Sequence, residues 1–338
     1  MGGDYAPAAA VDGALLFARE HPQHTVVLVG DEAKVRTALG AHPAGSVELH
    51  HASEVVEMDE HAGTSIRRKK DSSLRVCFDL VKRGAVDGMV SAGHSGAAMA
   101  GALLVLGRID GVERPAIAAL FPSLGNNRCL LLDAGANVDC KPTQLAQFGV
   151  MGEAYVRKLL GVERPRVAVL SNGEEDTKGT ALTREACALL RKSDMNFRGY
   201  VEGKDIFSGR ADVVVTDGFT GNVVLKTSEG AAMGVAGMIR RAIARSGLSE
   251  RVGALLLKPT LAGLKRVVDY AEIGGAPLLG VDGVGIVAHG RSSPKAIKNA
   301  LVSALTNAEA QLREEIAARI AASRTWLPAR STAAAQSG

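Results

Sequence analysis

The sequence of 338 residues is poor in aromatic residues and cysteine and has no long apolar run. Its four cysteines lie far apart without a C-x-x-C pair, which argues against a disulfide framework and against a structural zinc site. The longest apolar run, residues 97–106, is too short to cross a bilayer, and no signal peptide opens the chain. These absences predict a cytoplasmic protein that is soluble or at most peripheral to a membrane.

The sequence also has only a small excess of charge of one sign. With 40 basic and 36 acidic residues the formal net charge is +4, well short of the basic excess of nucleic-acid-binding proteins. We therefore expect no nucleic-acid partner. What the sequence does contain is glycine, at 39 residues, and glycine with few aromatics is typical of sheets that bind ligands through tight loops.

Short apolar runs rich in Val, Leu and Ile alternate with longer helical stretches. Because these runs are continuous, they indicate strands buried on both faces. We predict an α/β fold with a Rossmann-like, doubly wound, mostly parallel sheet. The predicted strands cover residues 25–29, 47–50, 88–90, 117–121, 129–132, 167–170, 197–201, 212–215 and 284–288. The predicted helices cover residues 8–20, 74–83, 96–106, 144–160, 181–191 and 294–321.

Two further helical stretches, 219–246 and 249–270, do not fit this alternation, and the second is broken near Pro259. The turn between them places Ser249 at a helix N-cap. We predict a helical hairpin at about residues 219–270, inserted in a single domain of residues 1–325. The remaining residues, 326–338, are predicted to form a disordered tail.

Glycine accompanies Asn, Ser, Thr or His directly after five of the predicted strands. In a parallel sheet the ligand binds beyond the carboxyl ends of the strands. The five loops that follow these strands, called strand exits below, therefore predict one site. The candidates for binding phosphate or substrate are Ser91, Gly93, Ser95, Gly96, Asn137, Asp217, His289 and Gly290.

The exit at residues 91–96 leads from a strand into a helix, where main-chain N–H groups can bind an anion. The alternative is a plain turn in which Ser95 caps the helix. Beside the other four exits we favour phosphate binding, and we interpret His94 as a loop residue rather than a catalytic base.

Lys178 follows three acids, residues 174–176, just beyond a strand. It either points at the substrate, with the acids holding it charged and oriented, or belongs to a solvated loop. Asn222 stands where the long helix opens. Its amide either stabilises a developing oxyanion or, with Thr220, caps the helix start. Spacing alone leaves both pairs of alternatives open.

A nicotinamide-type pattern, G-x-G-x-x-A at residues 283–288, falls inside a predicted strand and is rejected. No nucleophile elbow, Walker loop or zinc-protease motif is present, and no cofactor or metal is predicted. Inorganic phosphate is already an anion at neutral pH, and a thiol leaving group, with a pKa of roughly 8.5, needs little protonation. Anion binding, orientation and oxyanion stabilisation would then suffice for catalysis.

Seven motifs together resemble the bacterial phosphate acyltransferase family of phospholipid synthesis, from residue 1 to about residue 321. They are MGGD at 1–4, RRKK at 67–70, SAGHSG at 91–96, LDAGANVD at 132–139, DVVVTDGFTGN at 212–222, GGAP at 274–277 and AHG at 288–290. The resemblance implies reversible conversion of acyl-(acyl carrier protein) and inorganic phosphate to acyl phosphate and free carrier protein. It also implies a homodimer at the inner face of the cell membrane, with Lys178 and Asn222 as the catalytic pair.

Two features depart from the family pattern. Family members usually carry a short strand before the MGGD motif, and the contribution of such a strand to the site and to activity is left open. His94 and Ser95 stand where Asn and Thr are common, a change that keeps a donor but alters its shape.

The resemblance also suggests partners for the hairpin and for the basic run at 67–70. An amphipathic hairpin tip suits an anionic membrane surface, and the same apolar stripe suits a dimer interface equally well. The candidates for membrane contact are Leu255, Leu256, Leu257 and Lys258. Arg67 and Arg68 are predicted to dock the acidic carrier protein, with a solvated helix start as the alternative.

Three rival functions are retained. A phosphate acyltransferase for short acyl-coenzyme A would need nucleotide contacts and no lipid-facing hairpin. A metal- and NAD-dependent dehydrogenase on the same scaffold is disfavoured by the rejected glycine pattern. A non-enzymatic acyl-lipid-binding protein would need an apolar pocket but no Lys178.

Overall fold

The computed structural model describes residues 1–41, 45–124, 128–260, 263, 272 and 274–328. The helices are α1 (Ala8–Glu20), α2 (Glu32–Leu39), α3 (Ala62–Arg68), α4 (Ser73–Lys82), α5 (Ser95–Gly101), α6 (Pro142–Leu160), α7 (Ala181–Leu190), α8 (Gly218–Arg245), α9 (Leu248–Leu256), α10 (Pro294–Glu309) and α11 (Leu312–Ser323). A π-helical turn (Ala102–Leu106) continues α5, and a 3₁₀ turn (Gly203–Ile206) follows β7. The strands are β1 (Val26–Gly30), β2 (Val47–His51), β3 (Met89–Ser91), β4 (Ala116–Pro122), β5 (Arg128–Leu132), β6 (Arg166–Leu170), β7 (Asn196–Val201), β8 (Val213–Val215), β9 (Ala276–Leu279) and β10 (Gly285–Val287).

The main sheet has eight strands in the order β3-β10-β9-β4-β5-β8-β6-β7. Four of its seven pairings are parallel, and the three antiparallel ones involve β4 and β9. The predicted α/β fold with a mostly parallel sheet is confirmed. β9 was not predicted, because its four residues directly follow a pair of glycines and include a proline, which resembles a loop.

The strand directions divide the sheet exits into two groups. β5, β8, β6 and β7 are parallel neighbours, so their carboxyl ends lie side by side at one edge. β3 and β10 run the opposite way, because the antiparallel strands β9 and β4 lie between them and β5. The sequence interpretation assumed one common edge, whereas the structure has two groups of exits that face opposite ways along the sheet.

β1 and β2 pair in parallel as a separate two-stranded sheet. A cavity of about 630 Å³ lies between β1 and β3 and is lined also by residues of α1, α4 and α10. The two predicted strands are therefore confirmed as strands, but the cavity separates them from the main sheet.

The core lies between the main sheet and α6. Leu130, Leu131 and Leu132 of β5 are fully buried, as expected of a central strand with both faces covered. The helix begins at Pro142, whose fixed φ suits the first turn, and it ends at Gly161 in the left-handed conformation. This packing fixes the carboxyl end of β5, where the next loop carries polar residues.

The predicted helix at 294–321 is two helices. Gln311 adopts φ 50°, ψ 42° and turns the chain between α10 and α11. No glycine or proline marks this break in the sequence, so the helical pattern ran across it. The predicted tail lies outside the described residues apart from 326–328, where Trp326 and Leu327 pack against the main core cluster.

The predicted long helix is confirmed as α8, of which only Gly218 and Gly221 are buried. The N-cap of α9 is Gly247 rather than Ser249, because the helix begins at Leu248 and Ser249 lies in its first turn. α9 ends at Leu256 and the helix is interrupted at Leu257, whereas Lys258, Pro259 and Thr260 are again helical. Most of the predicted second arm, from residue 261, lies outside the described residues. Within the described part of the chain, no helix is long and apolar enough to span a membrane.

Candidate active site

The loop after β5 is organised around one buried carboxylate. Asp133 is fully buried and accepts hydrogen bonds from the main-chain N–H groups of Ile117 (2.9 Å), Gly135 (3.2 Å), Ala136 (3.0 Å) and Asn137 (2.7 Å). Burial raises the pKa of Asp133, while these hydrogen bonds oppose the rise. Because one carboxylate accepts hydrogen bonds from four main-chain N–H groups, the backbone path of residues 133–137 is fixed.

Asn137 belongs to this framework. Its side-chain amide donates to Asp133 Oδ2 at 2.9 Å and to the carbonyl of Pro115 at 2.8 Å. Its own carbonyl accepts from the N–H of Gly218 at 2.7 Å, the first residue of α8. Both amide hydrogens are thus engaged, so Asn137 shapes the site and has no side-chain donor left for phosphate.

The first turn of α8 lies close against this loop. Asp217 caps the helix by accepting from the main-chain N–H and the hydroxyl of Thr220, both at 2.8 Å. A Cβ atom on Gly221 would overlap the main-chain oxygen of Asp133, so only glycine fits there. Asn222 is exposed beside Gly135, at 3.5 Å from where a Cβ on that glycine would lie. Asp217 and Thr220 satisfy the helix start, which leaves Asn222 as a side chain that faces the loop after β5.

Lys178 lies in the loop 171–179 that follows β6, the strand next to β8. Its N–H donates to the carbonyl of Glu175 at 2.9 Å, and Asn172 Oδ1 accepts from the N–H of Gly179 at 3.0 Å. These bonds close the loop on itself, and the Lys178 side chain is exposed. Lys178 therefore lies in the loop after β6, and Asn222 lies near the start of the helix that follows the adjacent parallel strand β8.

Two of the three acids beside Lys178 pair with arginines instead of with the lysine. Glu174 pairs with Arg210 and Asp176 pairs with Arg191, both arginines lying outside the loop. Hydrogen bonds from Arg210 lower the pKa of Glu174. Among the residues that the structure describes, no carboxylate lies within 4.0 Å of the Lys178 ammonium group. The third acid, Glu175, places its Oε2 atom over Gly173 beside the Lys178 stem without forming an ion pair with the lysine.

The second group of exits surrounds residues 91–96. Ser91 Oγ accepts from the N–H of Gly93 at 3.3 Å, and His94 Nδ1 accepts from the N–H of Ala97 at 3.2 Å. His94, rather than Ser95, is thus the N-cap of α5. The hydroxyl of Ser95 and the backbone of Gly96 remain exposed in the first turn.

The exit of β10 and the first residues of the chain complete this second group. Gly290 accepts from the N–H of Asp4 at 2.9 Å, and Asp4 pairs with Arg291 at 3.3 Å. His289 Nδ1 accepts from the N–H of Arg291 at 3.2 Å. A Cβ on Gly3 would lie only 2.7 Å from the oxygen of Ala92, which fixes how closely the chain start and the loop at 91–96 approach.

One apolar cluster connects the two groups of exits. Ala97 and Ala98, directly after Gly96, are fully buried in it, and Ala136 of the loop after β5 packs against the same cluster. The structure thus places two groups of polar exits around one apolar cluster. It brings together the chain start with 91–96 and 289–290, and separately 133–137 with 217–222.

The partner-binding candidates lie on the surface. Arg67 and Arg68 are exposed in the last turn of α3, so the basic run ends a helix instead of starting one. The exposed fractions of the hairpin leucines are 66% for Leu255, 76% for Leu256 and 56% for Leu257. Lys258 beside them is also exposed.

Sequence reasoning missed the residues that support the loops. Asp133 was quoted within a motif but not singled out, because a carboxylate in a loop is usually solvated. Arg191 and Arg210 gave no signal, since their partners lie 15 and 36 residues away in the chain. The rejected glycine pattern at 283–288 has three of its six residues in a strand, β10 (Gly285–Val287).

The sequence matches a known family over nearly its whole length. The family described as "Fatty acid synthesis protein" matches residues 1–315. The chain is 69% identical over 331 residues to the phosphate acyltransferase of Myxococcus xanthus (strain DK1622), covering 97% of this chain and 94% of that one. It is 54% identical over 341 residues to the phosphate acyltransferase of Anaeromyxobacter dehalogenans (strain 2CP-C), covering 99% and 93%.

Solved structures share the fold at low identity. A phosphotransacetylase from Streptococcus pyogenes superposes with a TM-score of 0.60 at 17% identity, covering 90% of this chain and 92% of that one. A 4-hydroxythreonine-4-phosphate dehydrogenase from Klebsiella pneumoniae gives 0.52 at 14%, covering 89% and 95%. These two likenesses show a Rossmann-like α/β fold alone. The family match and the two close relatives decide the rest: the chain belongs to the phosphate acyltransferase family of enzymes.

Proposed function

We propose that this phosphate acyltransferase transfers a fatty acyl group from acyl carrier protein to inorganic phosphate, and so supplies acyl phosphate for phospholipid synthesis. An oxygen of phosphate attacks the thioester carbonyl carbon, a C–O bond forms, and the C–S bond breaks. The electron pair of that bond leaves on the carrier thiolate, which takes a proton from solvent. No general base is required, because phosphate attacks as an anion.

The position of the Lys178 loop and of α8 directly after two adjacent parallel strands is the observation that carries this proposal. An ammonium group free of carboxylate partners suits a phosphate dianion, and we assign phosphate binding at the attacking position to Lys178. The amide of Asn222 can donate to the oxyanion that develops on the thioester oxygen. Lys178 stands on the loop after β6, and Asn222 stands on α8, which follows the parallel neighbour β8.

The second group of exits is assigned to a separate phosphate subsite, because it faces the opposite way along the sheet from the exits of β6 and β8. The hydroxyls of Ser91 and Ser95 and the exposed N-terminal turn at Gly96 provide donors of the kind that anions require. Gly93 lies against Gly2, and Gly290, next to His289, accepts a hydrogen bond from the N–H of Asp4, so this group of exits contacts the first residues of the chain. Asn137 and Asp217 shape the first group instead, because their polar atoms are already engaged.

The carrier protein and the membrane are assigned to separate surfaces. Exposed Arg67 and Arg68 suit an acidic carrier protein. Both arginines lie at the carboxyl end of α3, where the helix dipole favours positive charge. The exposed leucines and Lys258 of the hairpin suit an anionic membrane surface. The nearly unburied α8 offers a long face for a second copy of the chain, and we propose a homodimer through it at the inner face of the membrane.

The test is a phosphate-dependent thiol-release assay with palmitoyl-(acyl carrier protein), following free thiol and acyl phosphate together. Wild-type protein should release thiol only when phosphate is present. Lys178→Ala and Asn222→Ala should each lower kcat/KM by about 100-fold or more while keeping the wild-type melting temperature.

Two donors and one variant distinguish the alternatives. Release from acetyl-coenzyme A but not from carrier protein would move the enzyme to the short-chain class. Binding of the acylated carrier without any release would instead favour a non-catalytic acyl-lipid-binding role. Full activity in Lys178→Ala would contradict the assignment of the lysine whatever the donor.

A further inference from the structure

Two arginines from outside the loop neutralise acids that stand next to Lys178. Arg210 donates to both carboxylate oxygens of Glu174, at 2.6 and 2.9 Å. Such a two-pronged contact has a fixed geometry, which a single ammonium contact lacks. Arg191 forms a second ion pair, with Asp176. Without these partners, both carboxylates would be negative charges beside an unpaired lysine.

Arg210 is itself held by a rigid part of the fold. Its guanidinium also donates to Asp205 Oδ1 at 3.3 Å, and Asp205 is 2% exposed. Asp205 Oδ2 accepts from the N–H of Glu202 at 3.0 Å, so the 3₁₀ turn after β7 fixes its position. The arginine therefore holds Glu174 at a set place instead of following it.

Released from Arg210, Glu174 would have Lys178 as a near cation. The two residues are four apart in a loop that is closed by the bond from the Gly179 N–H to Asn172. The Lys178 stem and Glu175 Oε2 both lie over Gly173, the residue next to Glu174, at 2.8 and 2.9 Å from where a Cβ on that glycine would stand. A flexible lysine in this position can reach a freed Glu174 carboxylate.

We propose that Arg210 is a positioning residue that keeps Glu174 from pairing with Lys178 and so leaves the lysine available to the phosphate substrate. The inference rests on the proposed role of Lys178. A carboxylate and a phosphate compete for the same ammonium group, so capture of Lys178 by Glu174 weakens phosphate binding. Pairs at exposed sites are modest in strength, and the effect on phosphate affinity should be about threefold to fivefold.

The test is a double-mutant cycle on the full chain, with palmitoyl-(acyl carrier protein) saturating and phosphate varied. Arg210→Gln should raise the KM for phosphate about threefold to fivefold with kcat nearly unchanged. Glu174→Gln should behave like the wild type. The double variant should return to within about twofold of the wild type, because the competing carboxylate is gone.

A matched control removes an equal charge elsewhere. Arg36→Gln breaks a comparable exposed pair, Arg36 with Glu32, in α2, which packs on the separate β1–β2 sheet. It should leave the KM for phosphate unchanged. Raising the ionic strength should shrink the Arg210→Gln effect, since salt screens an exposed pair.

Three results would overturn the inference. They are an unchanged KM in Arg210→Gln, a double variant as impaired as Arg210→Gln, and an effect that does not respond to salt. The second would show that Arg210 acts only by holding the loop in shape. Lys178→Ala distinguishes failure of the Lys178 proposal from failure of the Arg210 proposal. Full activity in Lys178→Ala would contradict the proposed role of the lysine. Loss of activity in Lys178→Ala, together with a double-mutant cycle that fails, would contradict the Arg210 inference alone.

Discussion

Asn137 donates twice to one oxygen of Asp133, through its main-chain N–H at 2.7 Å and its side-chain amide at 2.9 Å. Asn137 then accepts from the N–H of Gly218, where α8 begins. A buried carboxylate after β5 thus determines where the helix that carries Asn222 starts. The catalytic assignment of Asn222 depends on this chain of contacts.

Replacing Asp133 by asparagine should destabilise the protein. The new NH₂ group would face several N–H donors, and at least one buried hydrogen bond to a charged acceptor would be lost. We expect a decrease in the free energy of unfolding of about 3 kcal/mol, measured by urea unfolding. Asp139→Asn, at an exposed position of the same motif, is the control and should change it by less than about 0.5 kcal/mol. Equal stability of the two variants would show that Asp133 does not organise the loop.

Replacing two different glycines of α8 by alanine should have opposite effects on the protein. At Gly221 a Cβ atom would overlap the main-chain oxygen of Asp133, whereas at Gly230 it would meet open space. Gly221→Ala should therefore displace the helix start and lower kcat/KM by about tenfold or more, because Asn222 moves with it. Gly230→Ala should keep activity and raise the free energy of unfolding by roughly 0.5–1 kcal/mol, since alanine is the better helix former. Retained activity in Gly221→Ala would argue against a role for this contact.

Local patterns predicted most elements of the fold, because apolar runs and helical spacing are properties of neighbouring residues. α6 and β5 lie close to their predicted bounds, and the long helix α8 was predicted to within one residue at each end. The direction of β3 relative to β5 was not predictable from such patterns. It depends on the two antiparallel strands between them, and β9 was hidden by its proline and the glycines before it.

The candidate site shows the same limit. Lys178 and Asn222 were identified through the family resemblance, and their strand exits were visible in the sequence. The partners of the acids beside Lys178 were not, because ion pairs over 15 to 36 residues leave no local signal. Spacing placed Glu174 next to the lysine and suggested a pair, but Arg210 competes for that carboxylate and is paired with it in the fold.

The ion pair between Glu60 and Lys69 predicts an acid-side change in stability. Hydrogen bonding, chiefly from Lys69, lowers the pKa of Glu60 from 4.5 to about 2. A carboxyl with a depressed folded-state pKa contributes stability above its unfolded pKa and loses that contribution as the pH falls through the folded value. The difference in melting temperature between wild type and Glu60→Gln should thus be constant above about pH 5 and shrink as the pH falls from 4.5 towards 2.

Glu48→Gln, at an exposed position of β2, removes one carboxylate elsewhere in the chain and is the matched control. Lys69 also donates to the carbonyl of Val55, so Glu60→Gln leaves one of its anchors in place and should still fold. A melting-temperature difference that does not change between pH 5 and pH 2.5 would contradict the ionic contribution of this pair.

The cap at His94 predicts which substitutions the loop at 91–96 tolerates. Its Nδ1 atom accepts from the N–H of Ala97, a role that an asparagine oxygen can fill and an alanine cannot. His94→Asn should keep both the free energy of unfolding and the KM for phosphate near the wild-type values. His94→Ala should lower the free energy of unfolding by about 1 kcal/mol and raise the KM for phosphate, because the first turn of α5 and the donors at Ser95 and Gly96 lose their fixed position. Urea unfolding and phosphate titration of the two variants measure both effects. An alanine variant that matches the asparagine variant in both would show that the imidazole does not cap the helix in solution, and that residues 95 and 96 are positioned by other contacts.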